Sequence, residues 1–235
     1  MKALILILSL AFLSGPAYCQ YTKIKDSDIL YKQRIVRSLD LNNSLNRDLF
    51  GEENNLTQVL LEAYEKGDLI GYKSDDLKEI LSFEDYKRKM VVDLGEGDSL
   101  YYTPRNLYQV EIGEDLIFDR HRSEIVFDME SLTIFIPQSL NQRSLLEPVV
   151  SFDYDECLLI FKKDERASAV NPLKNGRNLN YSEVFLLRLF VSDIVKIGND
   201  NYFDQMYSDP AQAYIARKEA ENQLTEYLYK LYNPK

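Results

Sequence analysis

Ten consecutive residues, Glu114-Asp115-Leu116-Ile117-Phe118-Asp119-Arg120-His121-Arg122-Ser123, gather three carboxylates, two guanidinium groups and the chain's one histidine around a short apolar run. Such a set supports two kinds of chemistry. Carboxylates and a histidine held in a cleft exchange protons with a substrate. The same groups paired with one another make an ion-pair corner that fixes a fold. A single histidine excludes a histidine-based metal centre. His121 also lacks a serine or cysteine partner motif, so it reads as a surface or corner residue. Other candidates fare no better. Asp153-Tyr154-Asp155-Glu156 offers oxygen ligands but no glycine turn of the kind calcium loops use, and reads as a solvated strand entrance. Gly95-Glu96-Gly97-Asp98 has no Lys-Ser/Thr pair, and its acids repel phosphate, so it is a turn. With 38 acidic residues, no glycosidase-like carboxylate pair stands out. Cys157 opens an apolar run and reads as a small core residue.

The acidic segment feeds into a strand pattern. Ile125, Phe127 and Met129 alternate with polar neighbours, and Leu132, Ile134 and Ile136 continue the series. Further strands are expected at 108–112, 124–137 and 157–162, with Glu130-Ser131 as a possible turn inside the long one and a loop over 139–148. Helices are expected at 28–41, at 56–67 with Leu56, Val59, Leu60 and Ala63 on one face and Gly67 ending it, at 77–81, at 184–195 behind an Asn180-Glu183 capping box, and at 210–232 behind Pro210. In that last helix, Ile215, Ala220, Leu224, Leu228 and Leu231 fall on one side. The resulting class is α+β: one domain with a small central antiparallel sheet flanked by N-terminal and C-terminal helices.

Residues 1–19 have the form of an export signal: Lys2, an apolar stretch, the Gly15-Pro16 break, and Ala17 and Cys19 at the small positions of a cleavage site. Residues 20–27 read as a flexible lead and 28–235 as the domain. Cleavage after Cys19 leaves Cys157 without an intramolecular partner; earlier cleavage leaves a Cys19–Cys157 bridge open. The net charge of −10 argues against nucleic acid and anionic membrane as partners. The 17 tyrosines favour partly wet interfaces, and Tyr202, Phe203, Tyr207 and Tyr214 are the candidate partner-binding residues.

Four segments in order resemble the GldN/PorN family of the Bacteroidota gliding and type IX secretion machinery. The first runs from Val36-Arg37-Ser38-Leu39-Asp40-Leu41 through Asn46-Arg47-Asp48-Leu49-Phe50. The second is the stretch from Leu60 to Tyr72. The third is the charged segment itself, matching a family pattern of Glu-Asp-Trp-x-Phe-Asp followed by basic residues and serine. The fourth is Phe185-x-x-Arg188-x-Phe190-x-Ser192-x-Ile194-x-Lys196-x-x-Asn199. Val36 and Leu116 stand where the family has tryptophan, and Asp48 where it has proline.

The resemblance implies a structural signature of Arg37, Asp40, Asn46, Phe50, Asp115, Phe118, Asp119, Arg122, Ser123, Phe185, Arg188, Phe190, Ser192 and Lys196. It further implies a non-catalytic periplasmic scaffold, needing no cofactor, that pairs with a GldK/PorK-like lipoprotein in a ring beneath the outer membrane and contacts the GldM/PorM-like motor shaft. No second apolar run of spanning length is present. An exported hydrolase working through carboxylates and a free-standing periplasmic adaptor are the alternatives.

Overall fold

The computed structural model describes residues 24–52, 54–95, 98–140, 146–169, 177–198 and 201–233. Residues 1–23, which hold the expected signal segment and half of the expected lead, Glu96 and Gly97 of the expected turn, and Asn199 lie outside them.

Strand β1 spans Ile29–Asp40, where a helix was expected. It is antiparallel to a later strand from Ile29↔Asp119 to Asp40↔Gln109, and this ladder overrides a weak helical spacing. Helix α1, Leu56–Lys66, forms as expected. Asn55 accepts hydrogen bonds from the Thr57 and Gln58 amides, Gly67 closes the helix at φ 80°, and Leu56, Val59, Leu60 and Ala63 are buried. The helix expected at 77–81 is absent. Leu77 is left-handed (φ 55°) and Ile80 bridges to Tyr72, so the helix begins later, as α2 at Phe83–Lys89 behind a Ser82 cap. A small hairpin follows, β2 at Val91–Gly95 and β3 at Asp98–Tyr101.

Strands β4, Gln109–Asp119, and β5, Glu124–Ile136, form the centre of the molecule. Glu130-Ser131 does not turn the chain. The register steps from Gly113↔Ser131 to Glu114↔Met129, so Glu130 is the extra residue of a β-bulge. The bulge explains the change of parity in the apolar series. Ile125, Phe127 and Met129 at odd positions, and Leu132 and Ile134 at even ones, all lie opposite even-numbered residues of β4 and so share one face.

Of the loop expected over 139–148, residues 141–145 lie outside the described residues, and Glu147 and Pro148 belong to β6, Glu147–Asp153. The segment expected as a strand at 157–162 is instead helix α3, Tyr154–Lys163. Asp153 caps it by accepting the Glu156 amide, so the acids before Cys157 are a helix start. Short strands β7, Ser168–Ala169, and β8, Leu179–Asn180, pair with each other. The capping box at Asn180 and Glu183 forms, but its helix, α4 at Tyr181–Leu186, ends well before residue 195. The chain then enters β9, Asp193–Ile197. Helices α5, Phe203–Met206, and α6, Pro210–Tyr232, complete the fold; Asp209 caps α6 through the Ala211 amide.

The main sheet has the order β6-β5-β4-β1-β9, antiparallel throughout, in a single α+β domain. One strand, β1, precedes the N-terminal helices α1 and α2, and α4 to α6 are the helices of the C-terminal part. The large apolar core lies where α1, α3 and α4 bury Leu60, Phe161 and Phe185 against Val110, Ile112, Leu132 and Ile134. A smaller cluster of Ile35, Leu116 and Ile194 receives Phe127, Phe203, Leu224 and Leu228. Leu224 and Leu228 thus face the core as expected, while Ile215 is exposed. Among the described residues no helix is long and apolar enough to cross a membrane.

Candidate functional site

Glu114 sits on the core face of β4 with its side chain wholly buried. A buried carboxylate is stable only when paired, and this one has two partners. Arg37 of β1 donates from Nε to Oε1 at 2.6 Å, and Arg188 donates from Nη1 to Oε2 at 2.7 Å. The Arg188 guanidinium also lies over the Phe127 ring, 4.3 Å from its centroid, and beside Phe190 at 5.5 Å. To reach this position Arg188 adopts φ 52°, which explains why α4 stops at Leu186. Arg37 extends the network to α6, with Nη1 3.7 Å from Glu221.

The other acids of the segment, also buried, lie on the opposite face of β4 and take different partners. Asp115 pairs with Lys32 at 2.8 Å and lies 3.9 Å from Arg34. Gly113 leaves the room that Arg34 needs, since a Cβ there would overlap the Arg34 guanidinium and the Ser131 hydroxyl. Asp119 closes the β4–β5 turn. It accepts the His121 and Arg122 amides at 2.8 and 3.1 Å, and Arg122 Nε lies 3.6 Å away. Ser123 completes the turn at φ 53°. Arg120 does not join an acid of this segment; it donates to the Ser27 carbonyl. His121 is exposed.

The remaining signature residues hold connections between segments. Asn46 is buried; it donates to the Asp40 and Val191 carbonyls and accepts the Val191 amide at 2.8 Å, tying the first motif to the fourth. The Asp40 carboxylate accepts the Asn42 amide, and Phe50 packs against the large core. Phe185 stacks on Phe161 and contacts Phe190. Lys196 sits over the Tyr202 ring at 5.4 Å. Ser192 is half-buried in the loop before β9.

On the opposite face of β4, Glu111 borders a cleft of about 530 Å³ with Asp40, Tyr202, Asp204 and Arg217. Tyr202 donates to Glu111 Oε2 at 2.9 Å, and burial raises the Glu111 carboxyl to about 7. Glu111 escaped notice in the sequence, where it is one acid among many; its only mark is its place between Val110 and Ile112 in a strand. Of the four aromatic residues singled out for binding, Tyr207 and Tyr214 are exposed, whereas Phe203 packs into the smaller core cluster and Tyr202 is tied to Glu111. A further exposed apolar row went unforeseen: Leu186, Leu187, Leu189 and Val191, flanking Arg188, with Leu186 76% exposed. Among the described residues no cluster of metal-ligating side chains occurs, and Cys157 is fully buried with its thiol pushed well up by that burial.

Three sequence motifs meet at one buried carboxylate, and the apolar residues beside Arg188 face outward. No curated protein matches the chain. The family model described as "Gliding motility associated protein GldN" matches residues 24–233, which spans all four motifs and both clusters of the core, and the chain therefore belongs to the GldN family of gliding motility proteins.

Proposed function

We propose that this chain is a non-catalytic scaffold of the gliding and type IX secretion machinery. It works in the periplasm, associated with the outer membrane through a GldK/PorK-like lipoprotein with which it forms a ring, and it contacts the GldM/PorM-like motor shaft. The observation that carries this reading is the junction at Glu114, where the first, third and fourth motifs are locked together. A part that transmits force needs such a rigid centre, and a part that assembles needs exposed apolar margins such as Leu186, Leu187 and Leu189. Affinity purification of the tagged chain from native cell envelopes tests it. Co-elution of a lipoprotein and of the shaft protein is the expected result; elution of the chain alone overturns the reading.

One observation favours the hydrolase alternative. Glu111 is a buried carboxyl held near 7 beside a cleft, as a general acid is. That reading requires turnover of a glycoside or ester substrate that disappears in Glu111→Gln. Turnover unchanged by the substitution sinks it.

A further inference from the structure

We propose that the cleft around Glu111, Tyr202 and Asp204 receives one cationic side chain, a lysine or arginine presented by a partner protein. This rests on the reading of the chain as an assembly component and gives one of its contacts a chemistry.

The first support is an unfinished hydrogen-bond set. Glu111 is only 3% exposed, one of its oxygens is held by Tyr202, and Oε1 has no partner among the described residues. A buried acceptor left open costs free energy unless something completes it. The second support is charge. Asp40, Glu111 and Asp204 line the cleft against a single guanidinium, that of Arg217, which lies 3.7 Å from Asp204. Lys196 is nearby but rests over the Tyr202 ring. An anion entering here meets three carboxylates. A neutral apolar group leaves Oε1 open. An ammonium or guanidinium group supplies three to five donors for Oε1, and a backbone carbonyl of the segment that presents it accepts from the buried Arg217 Nε, which also has no partner among the described residues.

The walls agree with this choice. Tyr108, Tyr202 and Tyr207 border the cleft and present aromatic surface of the kind that attracts cations. The volume of about 530 Å³ admits a side chain and excludes a folded element. The proton that burial favours on Glu111 is the group an incoming cation displaces.

The test is an NMR titration of the full ¹⁵N-labelled chain with Nα-acetyl-arginine amide, with the citrulline analogue as the uncharged control. Saturable shifts centred on Gln109, Tyr202 and the Arg217 Nε–H are expected, absent with citrulline. Glu111→Gln should weaken binding by about tenfold or more. Asp204 is exposed, so Asp204→Asn leaves folding intact and should weaken binding several-fold. No saturable shift, shifts scattered over the acidic surface, equal shifts with citrulline, or indifference to both substitutions each overturns the proposal. The probe is a small molecule, so its failure leaves the assembly reading standing. Conversely, recovery of no envelope partner leaves binding of the probe unaffected.

Discussion

Glu114 and Arg188 are 74 positions apart in the chain, and their charged groups meet at 2.7 Å inside the protein. Arg188 accepts a left-handed backbone to make the contact, and the Phe127 ring shields its guanidinium. The pair gathers the strand that carries Glu114 and the loop that carries the exposed apolar row into one unit.

Breaking this pair leaves a charge buried beside Arg37 alone. Arg188→Ala should cost about 3–5 kcal/mol, and Glu114→Gln a similar amount. In a double-mutant cycle followed by urea unfolding, the two losses should fail to add, since either change removes the same contact. Additive losses would falsify a direct coupling.

Gly113→Ala tests the space under the bulge. The added methyl meets the Arg34 guanidinium and the Ser131 hydroxyl, so Arg34 must leave Asp115. A loss of about 1–3 kcal/mol is expected in thermal melts. Combining the change with Arg34→Ala should recover part of the cost of Gly113→Ala; an undiminished cost points to Ser131 as the obstacle.

Glu111 gives the protein a pH dependence of known sign. Its carboxyl moves from an ordinary 4.5 to about 7 on folding. Below 4.5 it is protonated in both states and contributes nothing to the balance. Between 4.5 and 7 the unfolded chain releases the proton first, so stability falls as pH rises and then levels off. At about 1.4 kcal/mol per pH unit the loss totals roughly 3 kcal/mol. Glu111→Gln should therefore be more stable than the parent at pH 8 and close to it at pH 4.5, as read from urea midpoints. The same difference at both values refutes the assignment.

Two phenylalanines of the signature differ in burial. Phe118 is buried and meets Tyr232 edge-on at 5.8 Å, whereas Phe190 is half-buried beneath Arg188. Phe118→Ala should cost about 3–5 kcal/mol and Phe190→Ala about 1–3 kcal/mol. Calorimetric midpoints in the reverse order contradict this ranking.

Tyr207 and Tyr214 are exposed, so Tyr207→Ala and Tyr214→Ala should leave the melting temperature within a degree or two. Any loss in envelope pull-down then reports on an interface. Tyr202→Ala is a different experiment, because it removes the donor to Glu111. A lowered melting temperature is expected there, and an unchanged one argues that Glu111 finds another donor.

Local signals proved reliable where short-range chemistry decides structure. Asn55 and Gly67 bound α1, the Asn180–Glu183 box starts α4, and Pro210 starts α6, because each acts on backbone groups within one turn. The parity change between Met129 and Leu132 already encoded the Glu130 bulge, though it read equally well as a turn. Membership of the family was legible as well, since the motifs that carry the resemblance are linear.

What the sequence left open was decided by pairing at a distance. Residues 29–40 carry apolar side chains compatible with either period, and only the ladder to β4 makes them a strand; residues 154–163 become a helix because the Asp153 cap forms and α1 and α4 cover its apolar face. The charged segment could not be assigned from its own residues because none of its acids takes its main partner from a simple local pairing except Asp119. Arg37 and Arg188 reach Glu114 from distant elements, and Tyr202 reaches Glu111 across the sheet from another. Linear order supplies the charges, but a buried charge is defined by the groups that surround it, and those are assembled only when the chain folds.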